Sequence, residues 1–227
     1  MRDETTIDTL VDAVKTVLEE TEAPERLEEL KTTARQRRER SDMLWFELIL
    51  SMATWGSSSG SDLATNEEHY SQVKYTHLLL MDEDKRIDHL EDVLLAAGVR
   101  YQNKKSRYIS SHVDRIEEKG GLEIAQEEFE SQDGKDAKMD FLREFKGIGD
   151  KYARNIGMDI FHPDFRDTIA LDDRINGISE ELGVEFDSYE EHEQFYVDVA
   201  KRLGITAWEL DRLLYRYTDD VTAHIAE

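Results

Sequence analysis

Apolar residues recur along this chain at the three-and-four spacing that gives a helix one apolar side. Ile7, Leu10, Val11, Val14, Val17 and Leu18 form one such stripe, on a first helix that stops near Pro24. Leu27 and Leu30 begin a second segment. Met43 to Trp55 is the most apolar stretch, a buried helix far shorter than the ~20 residues a membrane span needs. Asn66 to Met81 and Asp82 to Gly98 predict two further helices, the second with Ile87, Leu90, Val93 and Leu94 facing inward and Gly98 closing it. A basic segment from Val99 to Ile109 opens a helix that Gly120-Gly121 ends, and Met139, Phe141, Leu142 and Phe145 line another. Ser188 with Glu191, and Thr206 with Glu209, fit the capping box and start two last helices, whose inward residues are Phe195, Val199 and Leu203, then Leu210, Leu213 and Leu214. With two prolines in the chain and few strong β runs, the pattern predicts an all-α protein.

Only residues 141–175, FLREFKGIGDKYARNIGMDIFHPDFRDTIALDDRI, carry specific chemistry. One helix should end near Phe145, and Lys146-Gly147-Ile148-Gly149 supplies two glycines suited to a sharp reversal with positive φ. Ile148 can pin that turn to the core. Asp150 is a candidate N-cap for a second helix with Tyr152, Ala153, Ile156 and Ile160 along one side. Unpaired N–H groups at the start of that helix suit a phosphate. Such turns also occur in plain helical corners, so the hairpin alone does not decide.

The segment FKGIGDKYA, followed after a short Pro163 link by Leu171-Asp172-Asp173-Arg174-Ile175, resembles the helix-hairpin-helix DNA glycosylase superfamily. Tyr101-Gln102-Asn103-Lys104-Lys105-Ser106-Arg107-Tyr108-Ile109 is similar to a second segment, found in its archaeal and bacterial 8-oxoguanine enzymes. Phe145-Lys146 stands in place of Leu-Pro, and Arg174 where histidine is usual. The resemblance implies two helical subdomains flanking a cleft, residues 41–165 as a barrel and residues 1–40 with 166–227 as a second layer, with the hairpin at the cleft mouth. It implies a base-excision enzyme with lyase activity. Lys151 would be the amine that displaces the base and leaves a Schiff base, permitting β-elimination of the 3′ phosphate. Asp172, 21 residues further on, would stabilise the cationic sugar. To attack, the amine must be neutral, and a partly desolvated site at the helix N-terminus is expected to supply that state. Lys146, Gly147, Ile148, Gly149, Lys104 and Lys105 are the expected DNA contacts. Backbone carbonyls of Arg143, Phe145 and Ile148 would hold a monovalent cation. The loop Gly56 to Ser61 is expected to be long and flexible, with Trp55 a candidate for filling the gap left by an extruded base, though an aromatic on an apolar helix reads more simply as core.

Composition adds constraints. The chain's 227 residues, 39% hydrophobic, suffice for a real core. The absence of cysteine excludes disulfides and a cysteine-ligated iron–sulfur cluster, which tilts the resemblance toward the 8-oxoguanine branch. No other cofactor is implied. The net charge of −23 sits awkwardly with DNA binding. Either the chain binds no nucleic acid, or it comes from a salt-loaded cytoplasm. Acids spread along nearly every helix favour the halophilic reading, since molar salt shortens the Debye length to about 3 Å. The densest basic cluster, Arg35 to Arg40, fits a phosphate contact or a solvated face equally well. An acidic N-terminus without an apolar signal core predicts a cytoplasmic protein, and a monomer acting on double-stranded DNA with a damaged base is expected. Two alternatives stay open within the resemblance: an enzyme for oxidised pyrimidines and a non-catalytic hairpin module that only binds DNA. Outside it, an acidic helical scaffold with no nucleic-acid role is the third.

Overall fold

The computed structural model describes residues 4–226, the side chains of Ser58 and Ser59 excepted. Among the described residues every regular element is a helix, as the periodicity predicts. In chain order these are α1 (Glu4–Glu20), α2 (Ala23–Arg38), α3 (Met43–Thr54), α4 (Asp62–Thr65), α5 (Glu67–Gln72), α6 (Tyr75–Leu78), α7 (Glu83–Ala96) and α8 (Gln102–Glu118). They are followed by α9 (Leu122–Ser131), α10 (Gly134–Arg143), α11 (Asp150–Asp159), α12 (Asp173–Glu181), α13 (Tyr189–Leu203), α14 (Ala207–Arg216) and α15 (Thr218–Ile225). No helix among the described residues is long and apolar enough to cross a membrane.

The chain divides into two units, Glu39–Gly157 and Met1–Arg38 with Met158–Glu227. The expected boundaries lay at 40/41 and 165/166, and the division here falls at 38/39 and 157/158. Residues 158–165 go with the termini because Trp208 holds them. Its indole N–H donates to the Met158 carbonyl at 2.6 Å, and its ring lies 4.7 Å from that of Phe161.

In the terminal unit α1 packs on α13 and α15, and the predicted stripe is the one it buries: Leu10, Val14 and Val17 are fully inaccessible. The Thr206–Glu209 capping box forms as expected, and Glu209 also accepts from Lys31 at 2.6 Å, which ties α2 to α14. The second box is half made. Ser188 accepts the Glu191 N–H at 3.1 Å, but the Glu191 carboxylate reaches past it to the N–H of Asp187.

In the other unit α3 is the central rod, with Leu44, Trp45, Leu48, Ile49 and Met52 all inaccessible. The expected helix from Asn66 to Met81 breaks into α5 and α6. At the break the Val73 carbonyl accepts the Trp45 indole N–H at 2.8 Å instead of continuing the helix. In α7 the inward position belongs to Arg86, not Ile87. Arg86 is buried and donates to the Ser110 hydroxyl at 2.8 Å and to Asp114 at 2.5 Å, while Ile87 is half-buried. The Gly56–Ser61 loop is tighter than expected. It contains a 3₁₀ turn, Ser58–Ser61, and Gly60 lies so near the end of α3 that a Cβ would stand 2.2 Å from the Ala53 carbonyl oxygen.

Trp45→Phe keeps most of the apolar bulk but leaves the buried Val73 carbonyl without its donor, a loss of about 1–3 kcal/mol. Urea denaturation should show a midpoint lowered to match, with an unchanged slope. A loss below about 0.5 kcal/mol would mean that this bond does not hold the α5–α6 break.

Candidate nucleic-acid interface

The hairpin joins α10 to α11, and α8 braces it. At Phe145 the helix closes and the ring is buried, edge-on to His112 at 5.5 Å. Ile148 is buried as predicted, and its N–H donates to the Phe145 carbonyl at 3.0 Å. The two glycines differ in role. Gly147 has φ +87°, and a Cβ there would lie 2.7 Å from the Tyr108 ring and 3.2 Å from the Met52 methyl. Gly149 has no positive φ and faces open space, and it caps α11 by accepting the Ala153 N–H at 2.9 Å. Asp150, the expected cap, is therefore the first helical residue, and its carboxylate pairs with Arg143.

His112 fixes the other side of the turn. Its Nε2 lies 2.8 Å from the Lys146 carbonyl, and because a carbonyl only accepts, Nε2 carries the proton. The ring is buried, which pushes its pKa down to about 4, and its Nδ1 is buried with no partner. Nothing in the sequence marks this histidine, since its partner lies 34 residues away.

An aromatic and basic corner adjoins the turn. Trp55 stacks on Tyr108 with ring centroids 6.0 Å apart and meets Tyr101 at a tilt of 40°, centroids 6.2 Å apart. Lys104 is exposed and holds its ammonium 4.9 Å from the Trp55 ring and 5.4 Å from that of Tyr108. Tyr101 is exposed and has φ +60°, a left-handed conformation that costs a non-glycine residue of order 1 kcal/mol. Trp55 is thus neither core nor free wedge, but half-buried under Lys104. The Gly56 backbone bonds the Tyr152 hydroxyl, which links the end of α3 to the first turn of α11.

Of the expected contacts, Lys104, Lys146 and Gly149 face solvent. Lys105 does not. It is fully buried, and its ammonium donates to the carbonyls of Trp55 at 2.8 Å and Ala53 at 3.3 Å, capping the C-terminus of α3. Burial lowers its pKa to about 8. It supports the corner and meets no outside phosphate.

Lys151, expected to be partly desolvated, is exposed in the first turn of α11, because Ala153 and Ile156 take the inward positions there. Asp172 belongs to the terminal unit and caps α12, accepting the N–H groups of Arg174 at 3.0 Å and Ile175 at 3.1 Å. Arg174 Nη1 lies 3.4 Å from the second Asp172 oxygen, and its guanidinium sits over the Tyr215 ring at 4.0 Å. The neighbouring Asp173 is exposed at the first helical position. The irregular link before Asp172 is fastened by groups far along the chain. Asp211 accepts the Ala170 N–H at 2.9 Å, and Tyr189 donates to the Ile169 carbonyl at 3.3 Å. Asp211 is buried, which raises its pKa to about 6 despite Arg212 beside it. No group of three metal-ligating side chains occurs among the described residues.

No family model matches the chain, and no curated protein does. Solved structures do. The 8-oxoguanine DNA glycosylase of Thermotoga maritima superposes with a TM-score of 0.67 at 17% identity, covering 93% of this chain and 96% of its own. The Methanocaldococcus jannaschii 8-oxoguanine glycosylase/lyase, in complex with a 15mer DNA containing 8-oxoguanine, gives 0.67 at 18% identity over 92% and 95%. A second structure of that organism's enzyme gives 0.65 at 18% over 93% and 92%. This chain has their fold.

Two measurements probe the hairpin. Gly147→Ala should cost about 2–4 kcal/mol, from left-handed strain plus overpacking on Tyr108, whereas Gly149→Ala should cost less than about 1 kcal/mol. Equal losses at the two glycines would refute the close approach. The second concerns His112, whose folded pKa lies below its ordinary value of 6.5. Between these pH values the unfolded chain binds the extra proton, so this site's contribution is intact above pH 6.5 and is lost as pH falls toward 4. Thermal melts of His112→Gln should depend less on pH across that interval than the wild type.

Proposed function

We propose that the chain is a base-excision DNA glycosylase with an abasic-site lyase step, acting on 8-oxoguanine in duplex DNA. The observation that carries this reading is the hairpin: a glycine-reversed turn, braced by His112 and Tyr108, with Lys151 exposed in the helix turn it starts. The fold shared with 8-oxoguanine glycosylases supports it, and the glycosylase/lyase of Methanocaldococcus jannaschii was solved with DNA bound. Extruding a base costs a few kcal/mol, less for a damaged pair. The neutral Lys151 amine would then form a bond to C1′ as the glycosidic bond breaks and the base leaves with a proton. Opening of the sugar gives a protonated imine. Loss of the C2′ proton breaks the C3′–O bond, releasing the 3′ phosphate end, and water hydrolyses the imine to free the lysine. Because Lys151 is exposed, it would be bound DNA that displaces water from around the amine.

Asp172 would face the developing sugar cation with an orientation fixed by its two N–H donors and Arg174. Lys146 and Lys104, with the free N–H groups of the first turn of α11, would take phosphates. A monovalent cation prefers neutral carbonyl oxygens, and those of Arg143, Phe145 and Ile148 are of that type; Phe145 keeps one lone pair beside its bond to Ile148. Such an ion would add positive charge beneath a phosphate. We further propose that the acid-rich chain works in molar KCl, where screening removes most of its repulsion from DNA.

Borohydride trapping tests the reading, on duplexes holding an abasic site, 8-oxoguanine or thymine glycol in molar KCl. Wild type should form a covalent adduct, best with 8-oxoguanine, and Lys151→Ala none. Asp172→Asn retains a good helix cap, so it should stay folded while base removal slows by about 10²–10⁴-fold. Duplex binding without any adduct would leave a non-catalytic binding module, and preference for thymine glycol would move the substrate to oxidised pyrimidines.

A further inference from the structure

The terminal unit holds a second concentration of positive charge, remote in sequence from the hairpin. Between α2 and α14 lies a hollow of about 240 Å³. Four arginines line it, Arg26 and Arg37 from α2 and Arg212 and Arg216 from α14, with Trp208 and Tyr215 as aromatic walls. Only one carboxylate, Asp159, belongs to the lining. In a chain with 52 acidic and 29 basic residues, that ratio is inverted locally.

Part of this charge is answered within the chain, and Arg37 is among the residues that already have a partner. Arg212 is committed to the protein, bonded to Asp159 at 2.8 Å and 3.5 Å from Asp211, with its guanidinium 5.3 Å from the Trp208 ring. Arg26 pairs with Glu29 on the surface, yet its buried Nε–H has no acceptor. Arg216 is exposed at the end of α14 and makes no ion pair among the described residues. Arg26 and Arg216 therefore keep N–H donors at the hollow that the protein does not use, and an anion with several acceptor oxygens would engage them. Guanidinium forks match the oxygens of a phosphate, and flat aromatic walls suit the sugar or base attached to one.

We propose that this hollow is a phosphate-binding site, filled by a phosphate of the DNA strand. That source rests on the function proposed above, whereas the phosphate chemistry rests on the hollow alone. It also gives part of the Arg35–Arg40 cluster a specific task. Arg37 lines the hollow, while Arg35 sits over the Phe161 ring and Arg40 is bonded to Asp42 in the other unit.

The test pair is Arg26→Gln with Arg216→Gln, since the exposed Arg26–Glu29 pair contributes at most about 1 kcal/mol to stability. The control is Lys201→Gln with Arg202→Gln, two exposed cations of α13 whose removal changes net charge equally. Fluorescence anisotropy with an undamaged duplex, from about 0.2 to 1 M KCl, should show the test variant binding at least about tenfold more weakly, with a salt slope smaller by about one phosphate contact. The control should follow wild type. Isothermal titration with inorganic phosphate distinguishes the source. Phosphate binding that the test variant loses, with superimposable duplex curves, would keep the site but assign it to a free phosphate compound. Equal behaviour of test and control in both assays overturns the proposal. Trapping with saturating duplex separates the two readings: an adduct missing from wild type, with the anisotropy difference intact, would remove the lyase and leave the hollow.

Discussion

The hairpin unit depends on one close approach, that of the Gly147 backbone to the ring of Tyr108. No side chain larger than hydrogen fits there, and the ring cannot swing aside because Trp55 is stacked against it. The turn, α8 and the end of α3 are therefore fixed against one another by exclusion of volume. Hydrogen bonds then set the details. His112 holds the Lys146 carbonyl, Lys105 holds the last carbonyls of α3, and Gly56 holds the Tyr152 hydroxyl. Lys151 follows Asp150 in the first turn of α11, directly after this braced turn, and is exposed.

Asp172, half-buried, also rests on buried support. Its carboxylate is aimed by the helix it caps, and the link that delivers it is fastened by Asp211 and Tyr189. Asp211 and Lys105 have their pKa values shifted by burial in the direction that disfavours charge. Each is retained where a backbone group needs a partner, and an apolar replacement would leave that group unanswered.

The parts of this structure legible in the sequence are those governed by local rules. The stripe on α1, the hairpin with buried Ile148 and the box at Thr206 follow from spacing and capping chemistry within a few residues. What was not legible depends on partners far away in the chain. The break at Val73 needs Trp45, 28 residues earlier, and the burial of Lys105 needs the carbonyls of α3, 50 and 52 residues earlier. Read locally, Lys104 and Lys105 are equivalent neighbours in a basic run. One helical step separates a solvated cation from a buried one, and only the position of α3 decides which is which. The cap of α11 shows the same limit at short range. Asp150 is the better capping side chain, but Arg143 draws its carboxylate away and Gly149 takes the capping position.

Under the proposed function, the acid excess constrains how such a surface would hold a polyanion. At the salt that screens 52 carboxylates, attraction between a solvated lysine and a phosphate is screened as well. Contacts that persist are those made at short range with little water between: N–H groups at a helix start, guanidinium forks in a recess and aromatic faces against bases. This chain concentrates those groups at two places, the Gly147–Lys151 turn with its Trp55–Tyr108 corner, and the Arg26–Arg216 hollow. Its remaining cations are largely paired with the acids around them, as Arg202 is with Asp8 and Lys74 with Glu67. Under the proposed function, local geometry and not net charge would select the ligand.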